Sequence, residues 1–169
     1  MKHFIFLFLL LLPCTIFAQD NDDSTIIWQQ NHYQDTIAPH FALVDINGNY
    51  WDSDSLAGKV IVLNFWSIYC PGCFHELPAL NRIPSQFSSD SVVFISVLFE
   101  KGPKADSVIA KYQFNYHLVT NGLQIQSDFY NNCFPTHIII DRKGMIRYNV
   151  CGVVNTEMLV PEIRRVLRH

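Results

Sequence analysis

Cys70-Pro71-Gly72-Cys73 stands between an apolar run ending in Trp66 and a segment with helical spacing. Two cysteines so spaced on the first turn of a helix close a very small disulfide ring. Such a ring removes little unfolded-state entropy and braces a fold poorly. It suits exchange chemistry instead, because the unpaired N–H groups and positive dipole end of the helix favour a thiolate on the first sulfur. Pro71 fits the first helical position, where its missing N–H costs nothing. The pattern points to a redox-active dithiol, with half of a zinc site or a chance pair as the alternatives.

The start of the chain indicates where such a dithiol would work. Met1-Lys2-His3 is a short basic opening, Phe4 to Leu12 is an unbroken apolar run, and Ile16-Phe17-Ala18 closes it with a small residue. This layout predicts a secretory signal peptide over 1–18, cleaved after Ala18. The apolar run is too short for a bilayer span, which takes roughly 20 residues. Leu11-Leu12-Pro13-Cys14 also resembles a bacterial lipoprotein signal, although Pro13 replaces the small residue expected there. Membrane attachment is therefore expected only if Cys14 is lipidated, and the location is the periplasm or cell envelope.

Cleavage reduces the five cysteines to Cys70, Cys73, Cys133 and Cys151, and loss of Lys2 takes the formal charge from -3 to -4. A mildly acidic chain lacks the basic patch that nucleic acid requires, so no such partner is expected. The remaining residues, about 150, suffice for one domain with its own core. An oxidising compartment permits disulfides, but a core of that size does not need them, so the closely spaced pair is read as working rather than bracing. Cys133 and Cys151 are single cysteines, not a second closely spaced pair, so no metal site is expected.

The elements that must position the dithiol follow from pattern. Residues 19–36 are polar without a clear period, apart from Ile26-Ile27-Trp28, and read as a linker or N-terminal arm. Phe41 to Val44 and Tyr50-Trp51 flank Asn47-Gly48, a hairpin signal. Val60 to Trp66 and Val92 to Phe99 are nearly continuous apolar runs, as in strands buried on both faces. A helix is predicted from Pro71 to about Phe87, kinked at Pro78 and ended by Pro84. Helices are also predicted over Ala105 to Tyr112 and Leu123 to Tyr130, with a short strand at His117 to Val119. Thr136 to Asp141 and Met145 to Val150 form a late hairpin. The last helix turns Met158, Leu159, Ile163, Val166 and Leu167 inward. Alternating strands and helices imply an α/β fold, a central mixed sheet flanked by helices with an N-terminal β-hairpin extension.

Ala38-Pro39-His40-Phe41-Ala42-Leu43, Gly58-Lys59-Val60, Asn64-Phe65-Trp66, Cys70-Pro71-Gly72-Cys73, Glu76-Leu77-Pro78 and Phe134-Pro135-Thr136 occur in that order. Together they resemble the exported thioredoxin-like oxidoreductases of the TlpA/ResA type, within the AhpC/TSA-like thioredoxin group. The resemblance covers residues 37–169 and implies a thioredoxin-like domain that exchanges disulfides with exported proteins, as a reductant fed by a membrane thiol electron donor. It implies no cofactor. Cys70 would be the attacking thiolate and Cys73 the thiol that releases the partner. Pro135 matches the proline that follows a cis bond beside the dithiol, and Phe134 the residue whose backbone meets substrate. Glu76 matches a glutamate placed to move the proton of Cys73; Asn64, which cannot titrate, stands where thioredoxin has a buried aspartate. Trp66 is expected to pack beneath the site, and Pro71 and Gly72 to shape the helix start.

Some residues depart from the resemblance. Tyr69 stands where many relatives have tryptophan, and Gly72 is unusual between the cysteines and loosens the turn. The resemblance implies that the regions of Cys133 and Cys151 both border the groove beside the dithiol, and the two are read as a second redox pair, a structural disulfide or two buried thiols. Two other functions compete. Ser67-Ile68-Tyr69-Cys70 resembles the Ser/Thr-x-x-Cys of a thiol peroxidase, although Leu63 replaces the proline that family expects. A copper-chaperone-like module would need a histidine such as His137 beside Cys70 and Cys73, while His75 reads as a surface residue.

Overall fold

The computed structural model describes residues 28–30 and 34–169. The expected signal peptide, Cys14 and most of the expected linker lie outside the described residues. No helix among the described residues is long and apolar enough to cross a membrane.

Among the described residues, eight strands and four helices follow one another. They are β1 (Trp28–Gln30), β2 (Ala42–Val44), β3 (Tyr50–Asp52), β4 (Val60–Trp66), α1 (Pro71–Leu80), β5 (Val92–Leu98), α2 (Pro103–Ile109), β6 (His117–Val119), α3 (Leu123–Asp128), β7 (Thr136–Ile140), β8 (Ile146–Cys151) and α4 (Thr156–Leu167). Six strands form one sheet in the order β1-β8-β7-β4-β5-β6, and β2 and β3 pair separately as the expected hairpin. β4, β5 and β6 run parallel, whereas β7 is antiparallel to β4 and β8 to β7, so the sheet is mixed. Every residue of β4 and of β5 is buried, which accounts for their unbroken apolar sequence.

One apolar layer gathers Phe65, Ile95, Phe129 and Ile138 on one side of the sheet. The other gathers Val62, Leu80, Ile139, Leu159, Ile163 and Val166. The inward stripe of α4 is Leu159, Ile163 and Val166; Met158, expected inside, is 56% exposed. One position on a helix turns the side chain by about 100°, enough to carry Met158 off the buried face.

The helix after the dithiol is shorter than expected. Pro84 removes the N–H that would bond the carbonyl of Leu80 and its ring crowds that carbonyl, so α1 ends at Leu80. Pro84 instead opens a short 3-10 turn. Pro78 lies inside α1 and is tolerated.

Within the segment read as an arm, Trp28–Gln30 adds an edge strand to β8. The chain after it is also tied to the sheet. Asp35 N–H donates to the Ile146 carbonyl, and Arg147 bonds both Asp35 and buried Asp141. Burial pushes the Asp141 carboxyl up, but hydrogen bonds from Met145, Arg147 and Lys143 outweigh it and hold the carboxyl below its ordinary value. A depressed folded value means the contribution is complete above the ordinary value of 3.8 and is lost as pH falls through the lower folded one. Asp141→Asn is expected to cost about 2 kcal/mol at neutral pH. It should also flatten the acid limb of stability below about pH 4. Urea unfolding at stepped pH reads both; a limb as steep as that of the unchanged protein would count against the assignment.

Candidate active site

β4 ends at Trp66 and delivers the chain through a short loop to α1, placing Cys70 at the N-cap and Pro71 at the first helical position. Cys70 has an extended backbone and its Sγ accepts a hydrogen bond from Cys73 N–H at 3.1 Å. Cys70 is half-buried and Cys73 buried. The two are disulfide-bonded, with Cα atoms 5.4 Å apart. A first sulfur open to solvent and bonded by a helix N–H is stabilised as a thiolate once the pair is reduced.

The loop before Cys70 is held by a residue that sequence reasoning missed. Glu100 Oε1 accepts from Ser67 Oγ at 2.5 Å and Oε2 from Ile68 N–H at 3.0 Å, while Ser67 Oγ also accepts from Tyr69 N–H. Nothing in a lone glutamate following a strand reveals this bracket. Tyr69 is exposed and accepts a hydrogen bond from Lys104 Nζ at 3.0 Å.

Cys70 opens onto a groove of about 500 Å³. One wall is Tyr69, Pro71 and Gly72; the other is Phe134, Pro135, Gly152 and Val153. The Phe134–Pro135 peptide is cis, and the Pro135 carbonyl accepts from Gly152 N–H at 2.8 Å. Gly72 has a reason beyond the loosened turn: a Cβ there would lie 2.6 Å from Val153 Cγ2, so the two walls meet only because Gly72 lacks one. A larger concavity, about 590 Å³, lies around Ile37–Phe41 and includes none of the expected site residues.

Cys133 and Cys151 are disulfide-bonded, with Cα atoms 5.9 Å apart. Cys151 pairs with Thr136 in the β7–β8 register, so the bond joins the segment before Pro135 to the segment before Val153. Both segments continue into the same groove wall.

Beneath the dithiol, Trp66 packs edge-on against Phe74 and stacks on Phe114, with ring centroids 5.9 and 5.3 Å away. Glu76, one helical turn after Cys73, is buried. Its Oε2 lies 3.0 Å from His137 Nε2, and its Oε1 accepts from Val154 N–H. His137 is wholly buried and stands opposite Asn64 in the β4–β7 register, its Nδ1 3.4 Å from Asn64 Nδ2. The structure thus brings Glu76 and Asn64, singled out separately, to one histidine. His75 is exposed.

The sequence pattern of the AhpC/TSA family matches residues 35–149. The chain belongs to the AhpC/TSA family. The ResA thiol-disulfide oxidoreductase of Halalkalibacterium halodurans is 27% identical over 134 residues, 78% of this chain and 75% of that protein. The thioredoxin-like protein YneN of Bacillus subtilis is 26% identical over 114 residues, covering 65% of this chain and 66% of YneN. Among solved structures, a thioredoxin-family thiol:disulfide interchange protein from Chlorobium tepidum superposes with a TM-score of 0.68 at 21% identity, over 82% of this chain and 99% of that one. The thioredoxin domain of a thiol-disulfide oxidoreductase from Bacteroides vulgatus gives 0.67 at 18% identity, over 79% and 97%. These likenesses carry the fold, which is thioredoxin-like. With its Cys70–Cys73 pair at the head of α1, this member of the family is a thiol–disulfide oxidoreductase.

Proposed function

We propose that this oxidoreductase works as a reductant of disulfide-bearing exported proteins, in the periplasm or cell envelope, and is itself re-reduced by a membrane thiol electron donor. The observation that carries the reading is the asymmetry of the pair, with Cys70 open to the groove and Cys73 buried on α1, one helical turn before the buried Glu76. Cys70 thiolate attacks the partner disulfide and expels one partner thiolate. Cys73 then loses its proton, attacks Cys70 Sγ and expels the second. The partner is reduced by two electrons, and the Cys70–Cys73 pair is left as a disulfide. Glu76 is the base for the Cys73 proton. A carboxylate one turn from a buried sulfur disfavours a second negative charge there, which favours the uncharged disulfide and makes the dithiol a ready electron donor. Phe134 and Pro135 form the wall along which an extended partner segment lies. The basic opening and apolar run of Met1 to Ala18 support export.

Neither rival gains from the site. The Ser67 hydroxyl, which a peroxidase would turn on its substrate, is held by Glu100 and Tyr69. The ring nitrogens of His137 face Glu76 and Asn64, so this histidine does not join a metal-ligand set with the cysteines.

The test is the reduction potential of the Cys70–Cys73 pair, titrated against dithiothreitol or glutathione with peptide mass mapping to separate it from Cys133–Cys151. A value near thioredoxin, roughly −270 mV, is expected of a reductant, and one near roughly −120 mV would reassign the protein as an oxidant. No two-electron couple at this pair would overturn the reading.

A further inference from the structure

Glu76 and His137 come from α1 and β7, 61 residues apart in the chain, and meet where neither is reached by solvent. Both Glu76 oxygens face nitrogen donors, the Val154 N–H and the imidazole Nε2, which suits an ionised, acceptor-only carboxylate. In the state with the Asn64 amide nitrogen donating to Nδ1, that ring atom accepts and Nε2 carries the proton that Glu76 receives in its hydrogen bond; this is the pair before it takes up a further proton. An isolated carboxylate at this depth is costly, because burial penalises a single charge. One added proton relieves that cost. If the Asn64 amide turns over, its oxygen accepts from Nδ1–H, and the pair becomes an imidazolium beside a carboxylate, with no net charge.

We propose that His137 is a positioning residue that lets Glu76 store the proton Cys73 gives up and returns. The inference rests on the reading of Glu76 as the base for Cys73. When Cys73 resolves the mixed disulfide, its thiol proton passes to the Glu76 carboxylate and is held by the Glu76–His137 pair. The Cys73 sulfur bonds to Cys70, and the partner leaves as a thiolate. When a donor thiol later re-reduces the protein, the stored proton returns to Cys73 as the Cys70–Cys73 bond breaks, and the electron pair goes to Cys73.

The other groups facing the pair do not supply this proton. Burial, and then the charge of Glu76, push the Tyr116 phenol far above its ordinary value, so it stays protonated. Tyr148 on β8 is pushed up to about 12 by burial, with Glu162 of α4 and Glu76 adding to it. Asn64 on β4 does not titrate and serves only to turn.

The test follows the rate at which Cys73 expels thionitrobenzoate from its mixed disulfide with Cys70. It uses protein reduced only at Cys70–Cys73, from about pH 5 to 9, by stopped flow. His137→Asn is expected to slow this second release about tenfold near neutral pH and to reshape its pH profile, leaving the first release by Cys70 within about twofold. If Glu76→Gln slows the second release but His137→Asn leaves rate and profile unchanged, the role of His137 is overturned and the base stands. If neither changes it, the base reading falls as well. Should His137→Asn not fold, nitrogen-15 spectra of histidine-labelled unchanged protein decide. A His137 ring whose protonation midpoint differs between oxidised and reduced forms supports the proposal, and one that titrates alike in both overturns it.

Discussion

Cys73→Ser is expected to leave Cys70 joined to its partner as a lasting mixed disulfide and to lower turnover in insulin reduction by about 10³-fold or more. The size follows from the division of labour between the two sulfurs. Cys70 caps α1, is half-buried and lines the groove, so it still attacks and captures a partner when Cys73 is gone. Release requires a second sulfur within bonding reach of Cys70, and Cys73 is the one the first turn of α1 places there, with its N–H already on Cys70 Sγ. A serine hydroxyl does not displace the thiolate. Cys70→Ser should be equally inactive but capture nothing, because the buried Cys73 does not open onto the groove. Non-reducing electrophoresis with mass mapping of the adduct separates the two variants. Insulin reduction surviving in Cys70→Ser would place the chemistry elsewhere.

The double change Cys133→Ser/Cys151→Ser is expected to lower stability by about 3 kcal/mol, the usual worth of a bridge closing a loop of this length. The melting temperature should fall by about 10 °C. The bond spans 18 residues, against three for Cys70–Cys73, so it constrains the unfolded chain far more. The variant should still fold, because the two buried apolar layers are independent of it. Its second effect should be on partner binding. The bridge ties together the segments that continue into Phe134-Pro135 and Gly152-Val153, one wall of the groove, and without it only the Gly152–Pro135 hydrogen bond and the β7–β8 pairing hold that wall. A raised KM for a peptide disulfide with little change in kcat is therefore expected. Equal melting temperatures for the two proteins would show that the bridge braces nothing.

Much of this architecture was legible along the chain. The apolar runs of β4 and β5, the hairpin at Asn47-Gly48 and the late hairpin all follow from local period and turn chemistry, which a few neighbouring residues settle. The dithiol was legible for the same reason, since its two sulfurs lie on a single helical turn. Element ends were harder to place. α1 stops at Leu80 because Pro84 acts on the carbonyl four residues earlier, and Met158 faces out because packing against the sheet, rather than hydropathy, sets the helix rotation.

The sequence by itself determined the reaction, a thiol–disulfide exchange at Cys70 and Cys73, together with the family order of motifs around it. Tertiary structure alone decided what stands around that pair: Glu100 on the loop before Cys70, Val153 against Gly72, and the line from Asn64 through His137 to Glu76. The physical reason is one of distance. Chemistry carried by residues on one turn is written in their spacing, whereas a hydrogen-bonded line assembled from β4, α1, β7 and the segment before α4 exists only once the sheet has brought those elements together.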